Sequence, residues 1–417
     1  MADLAGSNTV DTLNGNFKEI YADKIEFLVP DGVYLYNNIP FIKEAKQTGN
    51  LYHQPVMLGL EHGFTYGGSD GAAFALNGFI AGQMKDATVQ GVELVLRSAI
   101  SIGAASRASS DKNSFERATK HIVANMMRSI TRRLEVSLFY GQVGLGVVTD
   151  NTTGVLTIDP DSWAPGIWAG AEGMKIEAFN STADQHDADL VVSVVDFDNK
   201  KITVTGTSSS VIASDILYIK GAAADNGEGA FTHSDFAGLQ KIITNTGTLF
   251  GISASSYNLW KGNNDTVAQD ISFEVIENAI AKGVAKGLSD QDVCVLVNVN
   301  HWSALLVEQS AKRQYDSSYG NDKMQSGAKH IEFFGQNGMI KIVPSIYVKG
   351  AHAFIVPMDE LVRIGSTDVT FEIPGRKDEF FKLLDAANGY ELRCYTDQAL
   401  FCAAPGKCIM LSNLNVA

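Results

Sequence analysis

The segment Tyr52-His-Gln-Pro-Val-Met-Leu-Gly-Leu-Glu-His-Gly-Phe-Thr-Tyr-Gly-Gly-Ser-Asp-Gly71 decides how the rest of the chain is read. Gly59, Gly63, Gly67, Gly68, Gly71, Gly78 and Gly82 punctuate it and the residues that follow. Glycine gives up more backbone freedom on ordering than any other residue, so this composition cannot hold a helix. A lone strand pair is only marginally stable in water. The segment therefore predicts a long glycine-rich hairpin or loop over residues 49–90, stabilised on a neighbouring molecule. The plainer alternative is a surface loop.

Working outward toward the C-terminus, Gly91-Val-Glu-Leu-Val-Leu-Arg-Ser-Ala-Ile reads as a strand. The strongest helical pattern covers Asp111–Tyr140, where Phe115, Ala118, Ile122, Met126, Ile130, Leu134 and Leu138 recur every three or four residues. Ser110 or Asp111 can cap its start, and Gly141 stops it. Thirty helical residues span ~45 Å. Arg117, His121, Arg128 and Arg132 fall on another face, with Lys120 and Arg133 beside it. Such a row is either solvated or paired with the acids of a neighbouring subunit. Toward the N-terminus, residues 1–48 read as an arm. Phe17, Ile20, Tyr21, Ile25 and Leu28 have helical spacing, Pro30-Asp-Gly ends that run, and a short element passes through Ile39-Pro40-Phe41.

Residues 142–235 change character. Gly154-Val-Leu-Thr-Ile, Met174-Lys-Ile-Glu-Ala-Phe, Leu190-Val-Val-Ser-Val-Val, Lys201-Ile-Thr-Val-Thr and Asp215-Ile-Leu-Tyr-Ile read as short strands, with a hairpin turn at Asp196-Phe-Asp-Asn-Lys-Lys. That spacing predicts a small β-barrel or sandwich inserted between stretches of α/β sequence. Residues 236–375 return to α/β. Phe236–Ile243 reads as a short helix. Thr266-Val-Ala-Gln269 reads as a capping box for a helix running to Gly287. The apolar run Asp292-Val-Cys-Val-Leu-Val-Asn-Val predicts a central strand, and Asn300 is placed as the cap of the next helix. A hairpin turns at Asn337-Gly338, and Ala351-His-Ala-Phe-Ile-Val-Pro is another strand. Residues 376–417 end in two strands joined near Pro405-Gly406, read as returning to the long helix.

The 417 residues include 39 glycines but only 19% charged residues, and acids outnumber bases 47 to 33 for a net charge of -14. That balance opposes tight nucleic-acid binding, which needs clustered Lys and Arg. No apolar run is long enough to cross a bilayer, and the first residues lack the basic and apolar regions of a signal peptide. Cys294, Cys394, Cys402 and Cys408 form no CxxC pair and have apolar flanks, which predicts free, buried thiols in a reducing compartment.

Site chemistry does not emerge from the motifs. No two histidines are spaced i, i+4 on a helix. Gly251-Ile-Ser-Ala-Ser lacks the second glycine of a nucleophile elbow. Gly141-Gln-Val-Gly-Leu-Gly follows a helix where a dinucleotide loop needs a strand, and no Walker sequence occurs. Asp196-Phe-Asp-Asn opens like a calcium loop, but Lys200 and Lys201 stand where a ligand and a glycine belong. No catalytic, cofactor-binding or metal-binding residue is assigned, no cofactor is expected, and the protein is read as not an enzyme.

The order of arm, glycine-rich hairpin, long helix, β insert, α/β region and closing strands resembles the major capsid (coat) proteins of tailed bacteriophages, which share the Hong Kong 97-type fold. The resemblance rests on Phe17-Lys-Glu-Ile-Tyr-Ala-Asp-Lys as the arm and Tyr52-His-Gln-Pro-Val through Gly82 as the extended loop. It also rests on Asp111–Tyr140 as the spine helix, on Gly247-Thr-Leu-Phe-Gly-Ile-Ser with Asn258-Leu-Trp-Lys-Gly as the way into the axial domain, and on Cys402-Ala-Ala-Pro-Gly-Lys-Cys-Ile-Met in the closing strands.

It implies an α+β fold in six parts. These are an N-terminal arm (1–48), an extended loop (49–90), a peripheral domain with the spine helix (91–141), an inserted β domain (142–235), an axial domain (236–375) and return strands of the peripheral domain (376–417). It further implies self-assembly through pentamers and hexamers into an icosahedral shell around packaged double-stranded DNA. The location is the virion, after assembly in the bacterial host cytoplasm. Implied partners are a portal protein, a separate scaffolding protein (the arm starts without a long charged helical preface) and decoration proteins; no membrane is implied. Two alternatives compete: an encapsulin-like nanocompartment shell, and an α/β enzyme with a β accessory domain.

Overall fold

The computed structural model describes residues 29–42, 51–103, 118–206, 208–226, 229–313, 331–372, 380–384 and 388–416. The Phe17–Leu28 pattern, the first residues of the long helix and Arg117 lie outside these.

The longest strand, Gly389–Cys402, is the trunk of a five-stranded sheet. Val92–Ser101 runs antiparallel along one edge of it. Leu361–Thr370 and then Phe381–Leu383 line the other edge, and Phe41–Ile42 adds a short parallel pairing to Leu361–Thr370. The long helix, Ala118–Tyr140, packs on the trunk and on Val92–Ser101. Met126, Ile130, Leu134 and Leu138 are buried at the spacing that the sequence predicts. From Leu134 onward every residue of the helix is buried, Glu135 and Ser137 included, because protein surrounds its last turns on all sides.

The helix does not end by glycine handedness. Gln142 takes the left-handed conformation (φ 66°), and its side-chain amide donates to the Asp235 carbonyl at 2.9 Å. Gly141 is needed for closeness instead: a Cβ there would lie 2.1 Å from the Phe236 carbonyl oxygen.

Between Gly146 and Ile219 six strands close into a barrel in the order Ile216–Ile219, Gly146–Thr152, Val155–Ile158, Lys201–Thr205, Gln185–Asp196, Lys175–Phe179. Lys175–Phe179 pairs back onto Ile216–Ile219. Alternate residues point inward, and Val148, Leu156, Ile158, Ile176, Leu190, Val192, Ile202 and Leu217 fill the interior, as expected for a barrel too small to hold a cavity. The turn at Asp196 forms as read: its carboxylate accepts the N–H groups of Asp198 and Asn199. The chain arrives and leaves side by side, with Leu145 N–H donating to the Leu217 carbonyl at 2.7 Å. The barrel is also stitched to the body. Gly166 N–H donates to the Ile346 carbonyl, and Gly350 and Ala351 N–H donate to the Trp163 and Asp161 carbonyls. Barrel, long helix and trunk strand share one hydrophobic core.

A second, six-stranded sheet has the order Asn263–Thr266, Ile409–Ser412, Ala353–Val356, Val293–Val297, Gly338–Pro344, Ile331–Gly335. Val293–Val297 is buried throughout and lies inside the sheet, as its apolar run predicts. Phe273–Val284 and Val299–Arg313 supply the helices.

Four local expectations shift. The first helix is capped by Ser272, which accepts the Val275 N–H, while Thr266 ends a strand. The second is preceded by Asn298, whose side chain accepts the Asn300 N–H and donates to the Val348 carbonyl. The hairpin turns at Gln336–Asn337, because Gly335 pairs with Gly338. The two last strands part company: Gly389–Cys402 stays with the long helix, whereas Ile409–Ser412 joins the six-stranded sheet. Residues 376–417 are therefore not one return unit.

Candidate functional site: an exposed hairpin on a clamped base

Tyr52–Gly59 pairs antiparallel with Gln83–Val89, from Tyr52 opposite Val89 to Gly59 opposite Gln83. The base of this hairpin is anchored. Tyr52, Ala87 and Val89 are buried, the Tyr52 ring meets Phe401 edge-on at 5.5 Å, and Phe250 meets the same Phe401 ring at 5.4 Å. The Thr88 N–H donates to the Phe250 carbonyl at 2.9 Å.

Beyond the base the burial pattern reverses. Phe79, Tyr66 and Leu76 are 106%, 93% and 80% exposed, and Met57, Leu60, Phe64, Phe74, Ile80 and Met84 are exposed as well. The tip is still shaped. Asn77 donates its N–H to Thr65 Oγ1 and its amide to the Phe64 carbonyl, both at 2.8 Å, and His62 N–H donates to the Ile80 carbonyl. Gly67 allows the Phe74 ring to lie on the backbone, since a Cβ would meet that ring at 2.5 Å. A concentrated, ordered apolar surface of this kind marks a site for contact with other protein or a membrane. Among the described residues no helix is long and apolar enough to cross a membrane.

The arm base is clamped just as firmly. Glu135, buried in the long helix, accepts the backbone N–H groups of Tyr34, Leu35 and Tyr36 at 2.8–2.9 Å. It thus satisfies the first turn of the short helix Leu35–Asn38. Burial pushes its carboxyl up, and the three N–H donors pull against that. Arg363 closes the other end. Its guanidinium donates to the Ile39 carbonyl, Asp368 and Gln398, and it lies 4.2 Å from the Tyr36 ring centre.

The cationic row of the long helix is used internally where the geometry is fixed. Arg132 donates to Tyr347 Oη and to the Gly166 and Ala169 carbonyls, and Arg133 pairs with Asp235 at 2.9 Å. Arg132 holds the Gly166–Ala169 stretch of the insert to the helix, and Arg133 holds Asp235 beyond the last barrel strand, so the expectation of inter-subunit pairing does not apply to them. Sequence reasoning missed this because their partners are backbone carbonyls and a residue 102 positions away.

It also missed Lys349. This lysine is buried, donates its ammonium to the Gly144 carbonyl at 2.9 Å and stands 4.3 Å from the Tyr140 ring centre. Burial holds its pKa down at about 7. His352 beside it is lowered to about 3, first by burial and then by Lys349. Lys349 is enclosed by packing, and His352 is half-buried beside it. Among the described residues no three metal-binding side chains gather. All four cysteines are free and buried, as their flanks predict.

No family model matches the sequence, and no curated protein matches it. Solved structures do. The capsid asymmetric unit of cyanophage A-1(L) matches with a TM-score of 0.53 at 11% identity, over 98% of this chain and 99% of that one. The capsid of a native GTA particle matches with a TM-score of 0.52 at 7% identity, again over 98% and 99%. The capsid of an empty GTA particle gives 0.51 at 8% identity over the same shares. Across nearly its whole length the chain has the mixed α+β fold of these capsid proteins, the fold that the order of its elements resembles.

Proposed function

We propose that this chain is a major capsid protein with the Hong Kong 97-type fold, a structural protein without catalytic activity. It self-assembles through pentamers and hexamers into an icosahedral shell around double-stranded DNA. The observation that carries this reading is the hairpin. An element exposing nine large apolar side chains gains stability when another protein covers it, and the fold on which it stands is that of capsid proteins.

In this reading the hairpin 49–90 is the extended loop, laid on a neighbouring subunit. The helix Ala118–Tyr140 is the spine of the peripheral domain, and the six-stranded sheet, now including Ile409–Ser412, is the axial domain. The barrel is an insert between spine and axial domain that stiffens the body it is stitched to. A net charge of -14 suits a wall that encloses DNA without gripping it. A portal protein, a separate scaffolding protein and decoration proteins complete the set of partners, with assembly in the bacterial cytoplasm and residence in the virion.

Expression of the full chain, alone and with its scaffold candidate, followed by size-exclusion chromatography and negative-stain microscopy, tests the reading. Closed shells or capsomers in the megadalton range are expected. A stable monomer or dimer under both conditions would sink it.

A further inference from the structure

Cys402 and Cys408 flank the corner at which the chain leaves the five-stranded sheet and joins the six-stranded one. Both are fully buried, and their sulfurs face each other at 3.7 Å. A single tight turn, Pro405–Lys407, lies between them, with Lys407 N–H donating to the Ala404 carbonyl and Cys408 N–H to that of Pro405. The corner is pinned from outside. Lys407 donates to Glu360 at 2.6 Å and to Gln291 at 3.1 Å. Gly406 lies so close to the Leu259 carbonyl that a Cβ would come within 2.3 Å of it. Contacts independent of the sulfurs therefore hold the two thiols face to face. Cys294, by contrast, is engaged by the Tyr34 hydroxyl.

We propose that Cys402 and Cys408 are a modification site: a dithiol that an oxidant of the peroxide class closes to an intrachain disulfide, bracing the corner between the two sheets. One thiolate attacks a peroxide oxygen. The O–O bond breaks, a sulfenic acid forms and the first water leaves. The second thiol then attacks that sulfur, the S–S bond forms and the second water leaves. The two sulfurs lose two electrons, which the peroxide gains. Closure brings the sulfurs from 3.7 Å to about 2.0 Å. Its hydrogen bond with Cys402, together with burial, holds the Cys408 thiol well above its usual range. The reaction in the folded chain is accordingly slow, and the finished bond is shielded from reductants. The site does not depend on the shell reading.

The full-length reduced protein is treated with hydrogen peroxide, alkylated in denaturant, digested with trypsin and analysed by mass spectrometry. Cleavage after Arg393 and Lys407 puts the two sulfurs on separate peptides. A disulfide-joined pair 394–407 and 408–417 is expected, lost in Cys402→Ser and kept in Cys394→Ser. The oxidised protein should melt about 2–4 °C higher. A parallel refolding in an oxidised/reduced glutathione buffer removes the barrier of access. Failure of the pair to join under both conditions overturns the proposal, as does a joined pair that persists in Cys402→Ser.

Discussion

Glu135 Oε2 accepts the Tyr36 N–H at 2.8 Å, tying the last turns of the long helix to a residue 99 positions earlier. With the Tyr34 and Leu35 bonds it makes one side chain the cap of the arm base. Glu135→Ala leaves three N–H groups without an acceptor, each costing roughly 1–3 kcal/mol when buried. The chain should lose at least about 2 kcal/mol in urea unfolding, and Glu135→Gln, which keeps one acceptor oxygen, should lose less. Equal losses in the two variants would show that the cap is not the source.

Glu391 joins the trunk strand to Val92–Ser101, accepting from Arg97 at 2.5 Å and from Arg393 at 2.7 Å. Those two guanidiniums hold its carboxyl down at about 2. An unfolded glutamate takes up a proton near pH 4.3, so the folded state resists protonation between about 4.3 and 2. The contribution is complete above that window and is lost as pH falls through it. Acid titration should show the wild type losing this advantage over Glu391→Gln by pH 2, less steeply at high salt because Arg97 is exposed.

Lys349 behaves in the opposite sense. Its folded pKa is about 7, against about 10.4 in an unfolded chain. Between those values the unfolded state carries a proton that the folded state lacks, so stability rises with pH. The wild type should gain on Lys349→Met from pH 7 to pH 10 in parallel denaturant series. Curves that stay parallel would refute the assignment.

The hairpin tip should matter for assembly and hardly at all for folding. Phe79 and Leu76 are exposed in the single chain, so Phe79→Ser with Leu76→Ser should leave the thermal midpoint of the unassembled chain within experimental error. Covering a side chain of this size stabilises a contact by about 1.5–3 kcal/mol, or roughly tenfold to a hundredfold in affinity. Light scattering should show shells forming only at correspondingly higher concentration. Assembly at the wild-type threshold would remove the tip from the interface.

Removing the barrel should be harmful despite its adjacent ends. Joining Gly144 to Lys220 strips the carbonyls of Gly166 and Ala169 from Arg132, and the Trp163 and Asp161 partners from Gly350 and Ala351. The deleted chain should be insoluble. A soluble, assembling product would mark the barrel as an independent module.

Local pattern carried far in this chain. Alternation and β-branched runs marked five of the six barrel strands, all but Gly146–Thr152; the apolar run marked Val293–Val297, and the four-residue recurrence from Met126 to Leu138 marked the long helix. Caps and turns were legible only to within a few residues, as Thr266 against Ser272 and Asn300 against Asn298 show. The choice among nearby Ser, Thr and Asn residues depends on which backbone N–H is left unpaired once the elements pack. The exposed hairpin was legible because glycine spacing is a property of the chain alone.

The sequence by itself determined where the long helix, the central strand and most barrel strands form and which segment could not be stable unaided, because those follow from periodicity and backbone entropy along a few neighbouring residues, while Leu361–Thr370 and Gly146–Thr152 became strands only by pairing across the fold. Tertiary structure alone decided that Ile409–Ser412 leaves the trunk's sheet, that Arg132 binds the insert and Arg133 binds Asp235, that Glu135 caps a distant helix and that two cysteines meet at a corner. Each of these is set by groups brought together across the fold, and burial, which gives such contacts their strength, exists only once the chain has closed around them.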